Sequence, residues 1–341
     1  MAHRSSGGGA ALMRAPAMLA RLGAVVAAGL AAPALADPML ADFSYGWPVE
    51  HHSFESQRER MEMAYLDVRP DRPNGRTAVL LHGKNFCAGS WDTTIRALSQ
   101  AGYRVIAPDQ IGFCKSTKPA RYQYGLHTLA ANTHELLAAL RIEKPVLIGH
   151  SMGGMLAMRY ALQYPGELSK LVLVNPLGLE DWRAKGVPNA TVDQLYVTEL
   201  KATRASIKAY QQSTYYAGQW RPDYDRWVDM LASMYAGPGG EVVAWHQALT
   251  ADMVFNQPVI HEIDRIAVPT VLMIGEKDNT AIGKNRADKA LQARLGDYPR
   301  LAREAAARIP GARLVTYPAF GHSPQVQGAG QFNADLLEAL R

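Results

Sequence analysis

Cysteine is nearly absent: Cys87 and Cys114 are the two in 341 residues. No CxxC occurs, and no His/Cys spacing suits a zinc site. HExxH is missing too, and no run of clustered ligands replaces it, so a metal-dependent hydrolase has no residues to stand on. Neither a metal nor any other cofactor is expected. A basic face is also lacking. Of the 36 Lys and Arg residues, Arg4, Arg14 and Arg21 precede Ala36, whereas all 31 Asp and Glu residues follow it. The remainder of the chain is close to neutral, and no Lys/Arg cluster could track phosphates, so no nucleic-acid partner is expected. Internal repeats and low-complexity segments are missing after Ala36. No apolar run reaches the roughly 20 residues that a bilayer span requires.

One shorter apolar run does occur. Leu22 to Ala32 follows Arg14 and Arg21 and ends in Pro33-Ala34-Leu35-Ala36, a small-x-small cleavage pattern. Residues 1–36 therefore read as an export signal cleaved after Ala36, with a periplasmic or secreted protein beginning at Asp37 and holding no stable membrane anchor. The competing reading is an uncleaved anchor, which the Ala/Gly-rich character of the run disfavours. In an exported chain the two cysteines can bridge. Both follow strands that are neighbours in the expected sheet, so a Cys87–Cys114 bond is the expectation, against two buried thiols packed as small hydrophobes.

After Ala36, β-like and helical runs alternate. Strands are expected at 61–69, 77–81, 104–108, 145–148 and 171–175, with a weaker one at 49–54. Trp91, Ile95 and Leu98 recur at helical spacing, and Gly102 closes that helix. Helices also fit 126–140 and 151–164. Strands that are apolar throughout imply a parallel sheet covered on both faces. The rhythm stops at Pro176. From there to about Arg265 the chain is helical and rich in aromatics, among them Trp182, Tyr196, Tyr210, Tyr215, Tyr216 and Trp220. It resumes with a strand at 270–274, a helix around 300–308, a strand at 313–317 and a last helix from Phe332. The expected organisation is one α/β domain, 37–178 and 266–341, with a helical cap inserted at 179–265 and a smaller insertion between Asn279 and Pro299.

Chemistry concentrates at strand ends. Gly149-His150-Ser151-Met152-Gly153 lies between a strand and a helix, the context of a nucleophile elbow. Flanking glycines leave room for a sharp turn, and the helix N-terminus favours negative charge beside Ser151. A serine needs a base, and the base needs a carboxylate. His322, in Gly321-His322-Ser323 after the strand at 313–317, is placed for the first role. His127, His134, His246 and His261 read as surface or packing residues, and the His150 side chain is expected to point away. Asp278 fits the strand–Gly-x-x-Asp pattern for the second role, with Glu276 as fallback and Glu180 or Asp181 as rarer options. His82-Gly83-Lys84-Asn85 closes the strand at 77–81. It is either an ordinary turn or an oxyanion hole built from the Lys84 and Met152 N–H groups.

The order Ser151…Asp278…His322, with His82-Gly83 upstream, resembles the α/β-hydrolase superfamily over essentially all of the chain after Ala36. Trp91, Asp109-Gln110-Ile111-Gly112 and Ser116-Thr117-Lys118-Pro119 are similar to its HG…W and DxxGxGxS segments, although Cys114 stands where that pattern usually has glycine. The resemblance implies a mostly parallel eight-stranded sheet with helices on both faces and a helical cap. It is closest to the cap-bearing branch, which includes esterases, C–C bond hydrolases, haloperoxidase-like enzymes, epoxide hydrolases and haloalkane dehalogenases. The last two use an aspartate nucleophile, and Ser151 argues against them. Carbon–carbon hydrolases usually have a more glycine-rich oxyanion loop than Lys84-Asn85-Phe86. The expected activity is cleavage of a small apolar or aromatic carboxylic ester through an acyl-enzyme. Lactone, amide or C–C hydrolysis on the same triad, and a non-catalytic binding protein, are the alternatives. Cap aromatics would either line the substrate pocket or form the cap's own core.

Overall fold

The computed structural model describes residues 38–341, so the expected export segment, 1–36, and Asp37 lie outside the described residues. The first half of the chain supplies β1 (Glu50–Ser56), β2 (Glu59–Val68), β3 (Thr77–Leu81), α1 (Asp92–Gln100), β4 (Arg104–Pro108), α2 (Leu126–Ala139), β5 (Val146–His150), α3 (Met152–Gln163) and β6 (Lys170–Val174). Four more helices follow: α4 (Val192–Glu199), α5 (Arg204–Tyr210), α6 (Asp225–Tyr235) and α7 (Gly240–Asn256). The chain then adds β7 (Thr270–Gly275), α8 (Lys289–Gln292), α9 (Tyr298–Arg308), β8 (Arg313–Tyr317), α10 (Pro324–Gln327) and α11 (Ala329–Ala339).

All eight strands form one sheet in the order β1-β2-β4-β3-β5-β6-β7-β8. β1 and β2 join antiparallel, while β3 through β8 run parallel. The reason is visible in the residues. Val146-Leu147-Ile148 and Val271-Leu272-Met273 are buried throughout, as a strand covered on both faces must be. Helix α1 packs on α11 and α2 on α3, which supplies the cover. Each Leu, Ile or Val so enclosed contributes about 1.5–3 kcal/mol of transfer free energy. The edge strand β1 instead shows mostly exposed or half-buried positions.

The parallel register puts the C-terminal ends of β3, β5, β7 and β8 on one rim, with Leu81 beside Gly149 and Gly275 beside Tyr317. Loops leaving that rim carry Lys84, Ser151, Asp278 and His322. Helices α4–α7 occupy the long connection from β6 to β7, and α8 lies in the shorter stretch before α9. The last helical segment begins earlier than the sequence pattern suggests, at Pro324 rather than Phe332, because Pro324 opens a first short helix. Among the described residues no helix is long and apolar enough to cross a membrane.

Candidate active site

Ser151 sits between β5 and α3 with φ +57° and ψ −121°, a conformation that a non-glycine residue rarely adopts. Its neighbours explain how the turn is built. A Cβ on Gly149 would lie 2.2 Å from the Gly153 oxygen, and one on Gly153 would lie 2.2 Å from the Leu81 oxygen. Only glycine at both places lets β5, β3 and the start of α3 approach so closely. The turn is fixed by Ser151 N–H donating to the Val174 oxygen at 3.1 Å.

Around the serine, three side chains form a hydrogen-bonded chain. His322 Nε2 is 2.8 Å from Ser151 Oγ, and His322 Nδ1 is 2.6 Å from Asp278 Oδ2. The arrangement fixes the tautomer: Nδ1–H donates to the carboxylate, leaving Nε2 to accept the serine proton. All three residues are buried. Glu276 is only half-buried, and the His322 Nδ1 bond goes to Asp278 instead. Glu180 bonds Trp182 Nε1 and the Gly296 N–H and pairs with Lys185, while Asp181 pairs with His261. Of the carboxylates considered, Asp278 is the one that meets the imidazole.

Two supporting residues escaped the sequence reading. Asn175, at the end of β6 with φ +38°, donates Nδ2–H to Asp278 Oδ2 at 2.9 Å and accepts the Gly275 N–H at 2.8 Å. It ties the acid to β7. The Thr280 N–H satisfies the other carboxylate oxygen at 2.8 Å. Asn175 reads as the end of a strand, and the one sequence signal would have been a strand-end Asn before Pro176. His150 is the second, and here the expectation that its side chain points away is corrected. The ring lies beneath the site, with Nε2 2.8 Å from the His322 oxygen and the two imidazole centroids 4.9 Å apart. Burial, and then the neighbouring His322, push its pKa well below the ordinary histidine value, so it is a neutral N–H donor. The other histidines pack or pair elsewhere: His134 stacks on Tyr164, and His246 meets the Tyr124 hydroxyl at 2.7 Å.

In the loop after β3, Phe86 N–H closes a turn onto the Gly83 oxygen at 3.0 Å. The Lys84 N–H donates to no group among the described residues. Met152 opens α3, so its N–H has no partner within the helix. Both donors thus have free capacity beside Ser151. His82 shapes the loop, with Nδ1 2.8 Å from the Gly83 oxygen and Nε2 accepting the Gln110 N–H at 3.0 Å.

Cys87 and Cys114 are disulfide-bonded, with Cα atoms 5.9 Å apart. Their nearness to Asp109 therefore forms no thiolate metal site. Cys114 has φ +47°, the left-handed conformation that the usual glycine adopts without strain. Asp109 organises the same region by accepting the Ala88 N–H and the Tyr45 hydroxyl, each at 2.7 Å.

The aromatics of the connection from β6 to β7 divide by position. Tyr216 stacks on Tyr224 at 3.8 Å, and Trp182 lies parallel to Phe255, so these build the helical layer itself. Tyr210 and Tyr235 line a cavity of about 660 Å³, together with Asn85, Ile207, Leu231 and Thr280. Tyr215 packs directly on His322, centroid to centroid 5.1 Å, and its hydroxyl accepts from Asn85 Nδ2 at 2.9 Å.

A serine at a strand-to-helix elbow, a carboxylate and a histidine in this order on such a sheet define a class. Residues 78–329 match the alpha/beta hydrolase fold family, and the chain belongs to it. A crystal structure of a probable hydrolytic enzyme from Pseudomonas aeruginosa PAO1 is 57% identical, with TM-score 0.89, covering 90% of this chain and 98% of that one. A non-heme haloperoxidase from Rhodococcus erythropolis is 26% identical over 79% of this chain and 94% of its own length. A 2-hydroxy-6-oxo-2,4-heptadienoate hydrolase from Pseudomonas putida is 28% identical over 47% of this chain, and the match spans 65% of that relative's length.

Proposed function

We propose that the protein is an exported serine hydrolase that cleaves carboxylic esters. The observation that carries this reading is the chain Ser151 Oγ–His322 Nε2, 2.8 Å, and His322 Nδ1–Asp278 Oδ2, 2.6 Å, mounted on a strained elbow. Ser151 Oγ attacks the acyl carbon while its proton passes to His322 Nε2. The oxyanion lies against the Lys84 and Met152 N–H groups, each a donor worth about 3 kcal/mol in such holes. As the C–O bond breaks, the leaving alkoxide takes the proton from His322. Water then gives a proton to His322 and attacks the acyl carbon, and Ser151 leaves with that proton. Asp278 holds the imidazole and balances its transient charge.

The Cys87–Cys114 bond supports an oxidising compartment, in keeping with the Arg14/Arg21, apolar-run and Ala36 pattern of the N-terminus. The cavity beside the site, with Ile207, Leu231 and Tyr235 in its wall, suits a medium-sized apolar or aryl group. A screen of aryl and alkyl esters of graded chain length, run beside lactones and a vinylogous diketone, tests the reaction class. Esters should be the best substrates. Selective turnover of the diketone would replace this reading with C–C bond hydrolysis, which the 28% identity to the heptadienoate hydrolase favours.

A further inference from the structure

The 660 Å³ cavity begins where the reactive loops meet: Asn85 follows Lys84, and Asn279 and Thr280 follow Asp278. Away from that end Ile207, Leu231 and Ile282 share the wall with Glu199, Lys201 and Lys284. Gln211 is a deeply enclosed polar side chain among them. It lines the cavity, is 1% exposed, and neither its Oε1 nor its Nε2 has a hydrogen-bond partner. Thr280 Oγ1, on the same cavity, is likewise buried and unpartnered. Buried polar groups are nearly always paired, because an unpaired one keeps its full desolvation cost.

The backbone holds Gln211 in place. It opens the wide turn Gln211–Tyr215, in which the Tyr216 N–H reaches back five residues to the Gln211 oxygen at 3.1 Å. Turns of this register concentrate at functional sites. This one leaves carbonyls for the loop of the base: the His322 N–H donates to the Thr214 oxygen and the Ser323 N–H to the Tyr215 oxygen, both at 3.2 Å. The unpaired carboxamide is thus anchored to the segment that positions His322.

We propose that Gln211 is a specificity-determining residue that pairs a neutral donor–acceptor group, a carboxamide or hydroxyl, carried by the substrate away from the scissile ester. The inference rests on the ester-hydrolase reading. A neutral group is required because a carboxamide offers one donor face and one acceptor face. An anion would leave Oε1 unpaired and a cation would leave Nε2 unpaired. Glu199, the carboxylate of the cavity wall, is already taken by Lys84 Nζ at 2.8 Å and the Tyr235 hydroxyl at 2.7 Å.

The test compares para-nitrophenyl glutaramate with its hydrocarbon isostere, in which an isopropyl group replaces the terminal carboxamide. A second pair places the same groups on the alcohol side of a butyrate ester. In at least one placement the wild type should favour the carboxamide by about tenfold or more in kcat/KM, the worth of one or two paired hydrogen bonds. Gln211→Met should bring that ratio to within about twofold of unity, and Thr280→Val should lower it by a smaller factor. The ratio is internal to each variant, so a general loss of folded enzyme does not move it. No preference in either placement, or a preference that survives Gln211→Met, overturns the proposal and leaves Gln211 as a buried amide met by water. Hydrolysis of para-nitrophenyl acetate, which carries neither the carboxamide nor its isostere, reports separately on the ester reading.

Discussion

At the scale of single residues, the site is a set of fixed acceptors and donors around one imidazole. Asp278 accepts from His322, from Asn175 Nδ2 and from the Thr280 N–H, so its charge is spread over three donors. Asp278→Asn should therefore cost about a thousandfold or more in kcat, because the amide presents a donor to Nδ1–H and inverts the tautomer. Glu276→Gln, beside the site but not the partner of His322 Nδ1, should stay within about threefold. Steady-state kinetics on one ester ranks the pair, and the opposite ranking would move the acid elsewhere. Asn175→Ala should act through Asp278, lowering kcat about tenfold with little change in KM. An unchanged kcat would show that β7 alone fixes the carboxylate.

The same scale shows why some residues are visible in sequence and others are not. Ser151, Asp278 and His322 stand at strand ends inside short patterns whose spacing follows from backbone geometry. Asn175 and His150 act through contacts that close only when distant segments meet, 103 residues apart for Asn175 with Asp278 and 172 for His150 with His322. Nothing local distinguishes such a residue from an ordinary strand end. Gln211 is hidden in the sequence for the same reason, since its unpaired amide is a property of the packed interior and not of the segment.

Elements carry the next level. The elbow between β5 and α3 depends on two glycines, and Gly153→Ala would push a methyl group into the Leu81 carbonyl. Sequence rhythm marks β3 through β8 well, because buried parallel strands are apolar along their whole length. It marks α4 poorly: this helix has no buried residue and owes its start to a capping box from Thr191 to Gln194. The wide turn at Gln211–Tyr215 has no sequence signature at all. Its register follows from the His322 and Ser323 N–H groups that its carbonyls accept. The loops after β3 and β4 are joined by the Cys87–Cys114 bond, at a sequence separation of 27. In the chain-entropy account a loop of that size adds roughly 3–4 kcal/mol. Cys87→Ala/Cys114→Ala should lower the denaturation free energy by that order and reduce kcat, because the Lys84 loop is braced from Cys87. Two reactive thiols per chain in unreduced, denatured wild type would contradict the bridge.

Across the whole molecule, one sheet collects the chemistry on a single rim, and several histidines are enclosed in the process. Burial lowers the pKa of His82 and His150 and takes that of His246 from 6.5 to about 4. The unfolded chain binds these protons first as pH falls, so folding loses free energy below about pH 6.5. For His246 the loss should continue down to about pH 4, at roughly 1.4 kcal/mol per unit at most. Thermal melts from pH 7 to pH 4 should show a falling Tm, with a shallower slope in His246→Gln; equal slopes would remove His246 from the acid response.

The proposed chemistry requires Ser151 to be the nucleophile. Reaction with a fluorophosphonate, followed by peptide mass spectrometry, asks this directly. One adduct per chain is expected, on the peptide carrying Ser151, and Ser151→Ala should abolish both the adduct and ester turnover while keeping the wild-type Tm. Folded wild-type protein that stays unmodified, or an adduct on another residue, would contradict it.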